Sequence, residues 1–206
     1  MLIKLISLLL LSSFLASCAS YRSLPLESMS SRTYDVSQSL DSSQLVVLAK
    51  KLSVAESKKY LDRDVIKKGY SPVQLYIDNP TNHSYLFSLS RISLPVAKPE
   101  AVASLVHTST VGRVVGYGTA ACLVPFLFLP FGVCAIVDGI KSSDANKELD
   151  RDFQEKSAKN EIIQRYASFN RILFIPSSDY TSSLRMTLID QETLTPKTID
   201  VLISDS

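Results

Sequence analysis

Three cysteines, Cys18, Cys122 and Cys134, and two histidines, His83 and His107, are the side chains in this 206-residue sequence best suited to nucleophilic, redox or metal chemistry. Their spacing argues against most of it. There is no Cys-x-x-Cys pair, no His-Glu-x-x-His helix motif, no Gly-x-Ser-x-Gly elbow and no phosphate-cradling glycine loop. Gly116-Tyr117-Gly118 lacks both the third glycine and the strand-turn-helix context of a dinucleotide fingerprint. His107 stands beside Thr108, Ser109 and Thr110, where an imidazole can activate a hydroxyl, but a histidine closing a helix at its negative dipole end is the ordinary reading. His83 falls in a turn and is read as exposed. Asp62, Asp64 and Asp78 lack the spacing of a calcium loop. No catalytic residue, metal ligand or cofactor is therefore expected, and the chain reads as non-enzymatic.

Cys18 is different because of what precedes it. Lys4 leads into an apolar run from Leu5 to Leu15, followed by small residues, which is the layout of an export signal. The run is short for a membrane span, which needs about 20 residues, and an uncleaved N-terminal anchor is the alternative. Leu15-Ala16-Ser17-Cys18 resembles the lipobox of bacterial lipoprotein precursors: an aliphatic residue, two small ones, then cysteine. The resemblance implies cleavage before Cys18 and acylation of its thiol, so that the chain meets the membrane through Cys18. Two or three acyl chains anchor firmly where one alone does not. Ala19, rather than aspartate, follows the cysteine, and in enterobacteria-like relatives that favours the outer over the inner membrane.

Residues 1–17 are thus set aside as signal peptide. Of the charged residues only Lys4 goes with them, so the mature chain stays close to neutral, and it has no tryptophan. That balance argues against nucleic acid as a partner. Residues 18–43 hold the lipidated cysteine and a serine-rich tether, with a first edge strand near Tyr34–Val36 as the alternative. Residues 44–206 form a single β-rich domain with a helical insertion at about 98–160.

The β-signal lies in two regions. Leu45–Leu52 and Pro72–Leu94 make up the first, and in the latter Val73, Leu75 and Ile77 alternate with polar neighbours at the strand period of two. Asn79-Pro80-Thr81-Asn82 predicts a hairpin turn into Tyr85–Leu89. Arg171–Pro176, Ser182–Asp190 and Lys197–Ile203 make up the second region, the last two joined as a closing hairpin. Hairpins with one apolar face are not stable alone. Packing them together predicts an α+β fold: a small immunoglobulin-like β-sandwich interrupted by a hydrophobic helical hairpin and a charged helix. Lys98-Pro99-Glu100 predicts a short helix through His107. Ser142-Ser143-Asp144 caps a charged helix to about Lys159, with Leu149 and Phe153 as its apolar stripe and Asp152–Lys156 and Glu155–Lys159 at i,i+4. If that helix runs on, Glu161–Arg165 adds a third such pair.

The hydrophobic hairpin is read from Val114–Val137, which carries no charged side chain. As one helix its 24 residues would reach about 36 Å, enough to cross a bilayer. One crossing would, however, separate the two β-regions. Pro125 and Pro130 would also break the helix. A turn at Pro125–Gly132 instead gives two short arms over 111–140, with Gly112, Gly116 and Ala120 allowing close approach. The tip is then Phe126, Leu127, Phe128, Leu129 and Phe131, either buried beneath the sheet or entering a membrane or partner. Such a turn sets Cys122 opposite Cys134, as a disulfide staple or as two buried thiols.

Lys50–Lys68 holds seven cations and three anions and suits either a solvated helix or anionic headgroups. Lys68–Asn82, KGYSPVQLYIDNPTN, and His107–Arg113, HTSTVGR, are similar to uncharacterised lipoproteins of chlamydia-like bacteria, a resemblance that implies no activity. The expectation is a structural or interaction module of the envelope, its partner an envelope protein or lipid. A membrane-inserting or lipid-handling protein using 111–140 is the alternative.

Overall fold

The computed structural model describes residues 21–29, 45–107 and 143–205. Cys18, Cys122, Cys134 and the tip Phe126–Phe131 lie outside the described residues, as does the alternative strand at Tyr34–Val36. The chain divides into two compact units. The larger unit comprises Ser23–Val106 and Asp150–Ser206; the other holds the residues up to Arg22 and His107–Leu149.

The larger unit is mixed α and β, built on seven strands: β1 (Val46–Lys51), β2 (Tyr70–Asn79), β3 (Tyr85–Phe87), β4 (Glu161–Ile163), β5 (Ala167–Pro176), β6 (Ser183–Asp190) and β7 (Pro196–Ser204). They pair in the order β4-β3-β6-β7-β1-β2-β5. All neighbours are antiparallel except β1 with β7, whose parallel register sets Ala49 against Ile203. The sheet curls until it is nearly a barrel. Its two edges approach each other, with Arg171 of β5 paired to Glu161 of β4 at 3.3 Å. Phe87 of β3 meets Phe169 of β5, ring centroids 4.7 Å apart.

The period-two pattern explains the interior. Val73, Leu75, Ile77, Leu184, Met186 and Leu188 are all sealed into one core, as the alternation in β2 and β6 requires. β5 departs from simple alternation because both of its faces are covered. Phe169, Leu173 and Ile175 point inward, while Ile172 and Phe174 are equally buried on the outer face. A strand covered on both sides reads as the continuous apolar run ILFI.

Helices supply that outer cover. α1 (Val54–Leu61) starts with a reciprocal cap in which Ser53 Oγ accepts from Glu56 N–H and the Glu56 carboxylate accepts from Ser53 N–H. α2 (Pro99–Leu105) has proline in its first turn and Glu100 near its positive end, as the sequence predicts, but it ends at Leu105 with Val106 as its cap, so His107 lies beyond it and does not close it. α3 is helical over 143–156, with Leu149 and Phe153 both fully buried. Phe153 stacks on Phe174 at 5.4 Å. Among the described residues no helix is long and apolar enough to cross a membrane.

Two further expectations need correction. The turn at Asn79 does not close a hairpin: β2 pairs with β1 and β5, whereas β3 pairs with β4 and β6. Asn79 is fully buried and tied at both ends of its amide, so it holds a corner at which the chain changes neighbours. α3 stops at residue 156, so Lys159 lies beyond it and Glu161 belongs to β4. The stop follows from Ala158 N–H bonding to Ile172 O, which draws the chain into the sheet. The closing hairpin does form, with Leu184 opposite Val201 and Met186 opposite Ile199.

Candidate functional site

Two regions of the larger unit concentrate polar side chains. The first is one end of the barrel, where the 79–84, 164–166 and 190–195 loops meet. Asn79 Nδ2 donates to the carbonyls of His83 and Gln164, both at 2.8 Å, and Tyr166 N–H bonds to Thr81 O. His83, expected simply to be exposed, is only half-exposed: its Nδ1 lies 2.9 Å from Asp190 Oδ2 and 3.7 Å from Glu192 Oε2. Asp190 Oδ1 accepts the N–H groups of Glu192 and Thr193, and the Glu192 carboxylate accepts Ser84 N–H.

Burial pushes the Asp190 carboxyl up, but the N–H groups of Thr193 and Glu192 and the adjacent His83 outweigh it and hold the group at about 2. His83 Nδ1, Asp190 Oδ2 and Glu192 Oε2 lie close enough to one another to share a cation. Asp190 Oδ1 and the Glu192 oxygens are, however, already engaged by loop N–H groups. The arrangement works as a clasp between two loops. Nothing in the sequence signals it, because the Asp-x-Glu pair and the histidine sit on elements joined only by the fold.

Tyr166 and Leu194 stand at the same end. Both have left-handed backbone, φ 57° and 58°, and both are more than 70 % exposed. Such φ values are uncommon outside glycine and asparagine.

The second region is the arm Ser23–Met29, part of the expected tether. Its residues make specific contacts with the larger unit. Lys156, 12 % exposed, donates to Ser23 Oγ and to the carbonyls of Leu24 and Tyr60, and pairs with Asp152 at 2.8 Å. Ser23 Oγ donates to Asp152 at 3.0 Å. Leu24 N–H bonds to Lys59 O at the end of α1, and Lys59 pairs with Glu27 at 2.6 Å. Farther along, the Glu27 carbonyl accepts from Gln74 and Asn170 on the outer face of β2 and β5, and Met29 is buried. A cleft of about 430 Å³ lies alongside, lined by Ser23, Pro25, Leu26, Asp152, Lys156 and Arg171 among others.

The lipid-attachment residue, the expected disulfide and the apolar tip all lie outside the described residues. No protein family, no characterised protein and no solved structure matches this chain.

Proposed function

We propose that this chain is a non-catalytic, lipid-anchored module of the bacterial cell envelope, attached through acylated Cys18 and serving as a structural or interaction domain. One observation carries the reading. Strands from either side of the 107–142 stretch interleave in one sheet: β2 with β5, β1 with β7, β3 with β4 and β6. Chain segments that share a sheet share a compartment, which argues against a single bilayer crossing by Val114–Val137. The apolar run is then a poor candidate for the anchor, and the lipobox resemblance of Leu15-Ala16-Ser17-Cys18 supports Cys18 in its place. Outer-membrane placement rests on Ala19 alone. The immunoglobulin-like sandwich is likewise proposed, supported by β1-β2-β5 and β4-β3-β6 sharing one core with β7 paired to both groups.

Growing cells on labelled palmitate tests the anchor. Label should enter the wild-type protein, be lost in Cys18→Ser, and follow the outer-membrane fraction. A mature chain beginning anywhere other than Cys18 would overturn the proposal.

The same interleaving favours a second reading, because a run that doubles back presents a tip. In that reading Phe126, Leu127, Phe128, Leu129 and Phe131 enter lipid and a Cys122–Cys134 disulfide braces the arms. Liposome binding by a non-acylated chain should then fall in a Phe126→Asp, Phe128→Asp variant that stays folded. Two free thiols in the exported protein would remove the brace.

A further inference from the structure

The docked arm changes the distance over which an anchor at Cys18 can act. A serine-rich tether reaching to residue 43 would let the domain wander. Yet Ser23, Leu24 and Glu27 are fixed to α1, α3 and the sheet by the bonds of Lys156, Lys59, Gln74 and Asn170. Only residues 19–22 separate Cys18 from Ser23. An extended chain gains at most about 3.6 Å per residue, so Ser23 stays within about 18 Å of the Cys18 backbone. If the acyl chains of Cys18 sit in a leaflet, the surface around Ser23 sits at its headgroups.

That surface suits headgroups. The exposed side of α1 runs Val54, Ala55, Lys58 and Lys59, and exposed Lys67 and Lys68 follow in the next turn. Leu24, about half exposed, lies beside the end of α1 because its N–H bonds to Lys59 O. Cations with scattered apolar side chains match an anionic lipid surface, which attracts basic residues lying near it.

We propose that the arm is a short leash. It holds the α1 face and the Lys67–Lys68 turn against the anionic headgroups of the membrane that carries Cys18. The proposal rests on the acylation of Cys18 and adds an orientation to it.

The test uses full-length acylated protein, purified from cells and placed in vesicles with and without phosphatidylglycerol, with a fluorescent amino acid replacing Lys58. Energy transfer to a headgroup dye reads the distance. A Gly/Ser insert of about twelve residues between Ser20 and Tyr21 lengthens the leash by about 20 Å on average without touching any arm contact. With the short leash, transfer should be high in both vesicle types, and the insert should lower it at least about twofold in neutral vesicles. In phosphatidylglycerol vesicles the insert variant should recover transfer, and Lys67→Gln with Lys68→Gln, which touch no arm contact, should abolish the recovery. Transfer that ignores the insert, in protein shown to carry palmitate, overturns the leash while leaving the anchor intact. Protein without palmitate at Cys18 overturns the anchor as well.

Discussion

His83 Nδ1 lies 2.9 Å from Asp190 Oδ2, joining the loop after β2 to the loop between β6 and β7. The contact matters because β3, which leaves the first of these loops, pairs with β6 over only Tyr85 and Leu86. The clasp supplements a short ladder at the place where the chain changes partners.

Acid should loosen this clasp in a defined window. Asp190 titrates at about 2 in the folded protein against 3.8 for an unperturbed aspartate. A carboxyl depressed on folding contributes its stability fully above the unfolded value and loses it as pH falls through the folded one. The contribution should therefore be constant from neutrality down to about pH 4 and vanish toward pH 2. Urea midpoints for wild type and Asp190→Asn across that range check it. The variant should be the less stable at neutral pH, with the gap closing below pH 4; a gap that stays constant to pH 2 would refute the assignment.

Much of this architecture is legible in the residues and some is not, for physical reasons. Period-two alternation exposes the inward faces of β2, β6 and β7, and the Lys98-Pro99-Glu100 start places α2. The Asn79 corner is misleading because the same four residues suit a tight turn and a crossover equally well. Only the Gln164 carbonyl, supplied by distant chain, decides for the crossover. The docking of Ser23–Met29 is invisible for a similar reason. Serine-rich composition reports low burial on average, while a single partly buried ammonium, Lys156, organises the arm.

Lys156 should accordingly be worth more than a surface lysine. Lys156→Met removes the donor shared by Ser23, Leu24 and Tyr60 and the 2.8 Å ion pair with the Asp152 carboxylate. Losing charged hydrogen bonds in a partly buried site should cost about 2 kcal/mol. Urea denaturation measures the loss. Cleavage after Glu27 by a glutamate-specific protease should quicken in parallel, since the arm loses its first fixed points. Unchanged cleavage would mean that Glu27 and Met29 hold the arm without Lys156.

Phe153 offers a cleaner energetic test of the outer layer. It is fully buried, and its ring stacks on Phe174 at an interplanar angle of 10°. Phe153→Ala should cost about 3–5 kcal/mol through lost transfer energy and the cavity left behind. Leu202, 81 % exposed on β7, is the control: Leu202→Ser should stay within about 0.5 kcal/mol of wild type. Comparable losses at both positions would contradict the assigned packing.

Leu194 should move stability in the opposite direction. Its φ of 58° sets a branched, apolar residue in left-handed backbone, and its side chain is 74 % exposed, so no packing compensates the strain. The conformation is required because Leu194 N–H bonds to Asp190 O and Asp190 N–H bonds to Thr195 O, closing the loop under the clasp. Glycine or asparagine adopts that backbone with little strain, although glycine also enlarges the unfolded ensemble and so returns part of the gain. Asparagine keeps a side chain, and Leu194→Asn should raise stability by about 1 kcal/mol. Leu194→Pro, whose ring forbids positive φ, should lose several times that. Thermal melts of the three chains order them Asn above Leu above Pro. If asparagine instead lowers the midpoint, the exposed leucine is covered in the intact protein, and the loop end of the barrel becomes the surface to search for a partner.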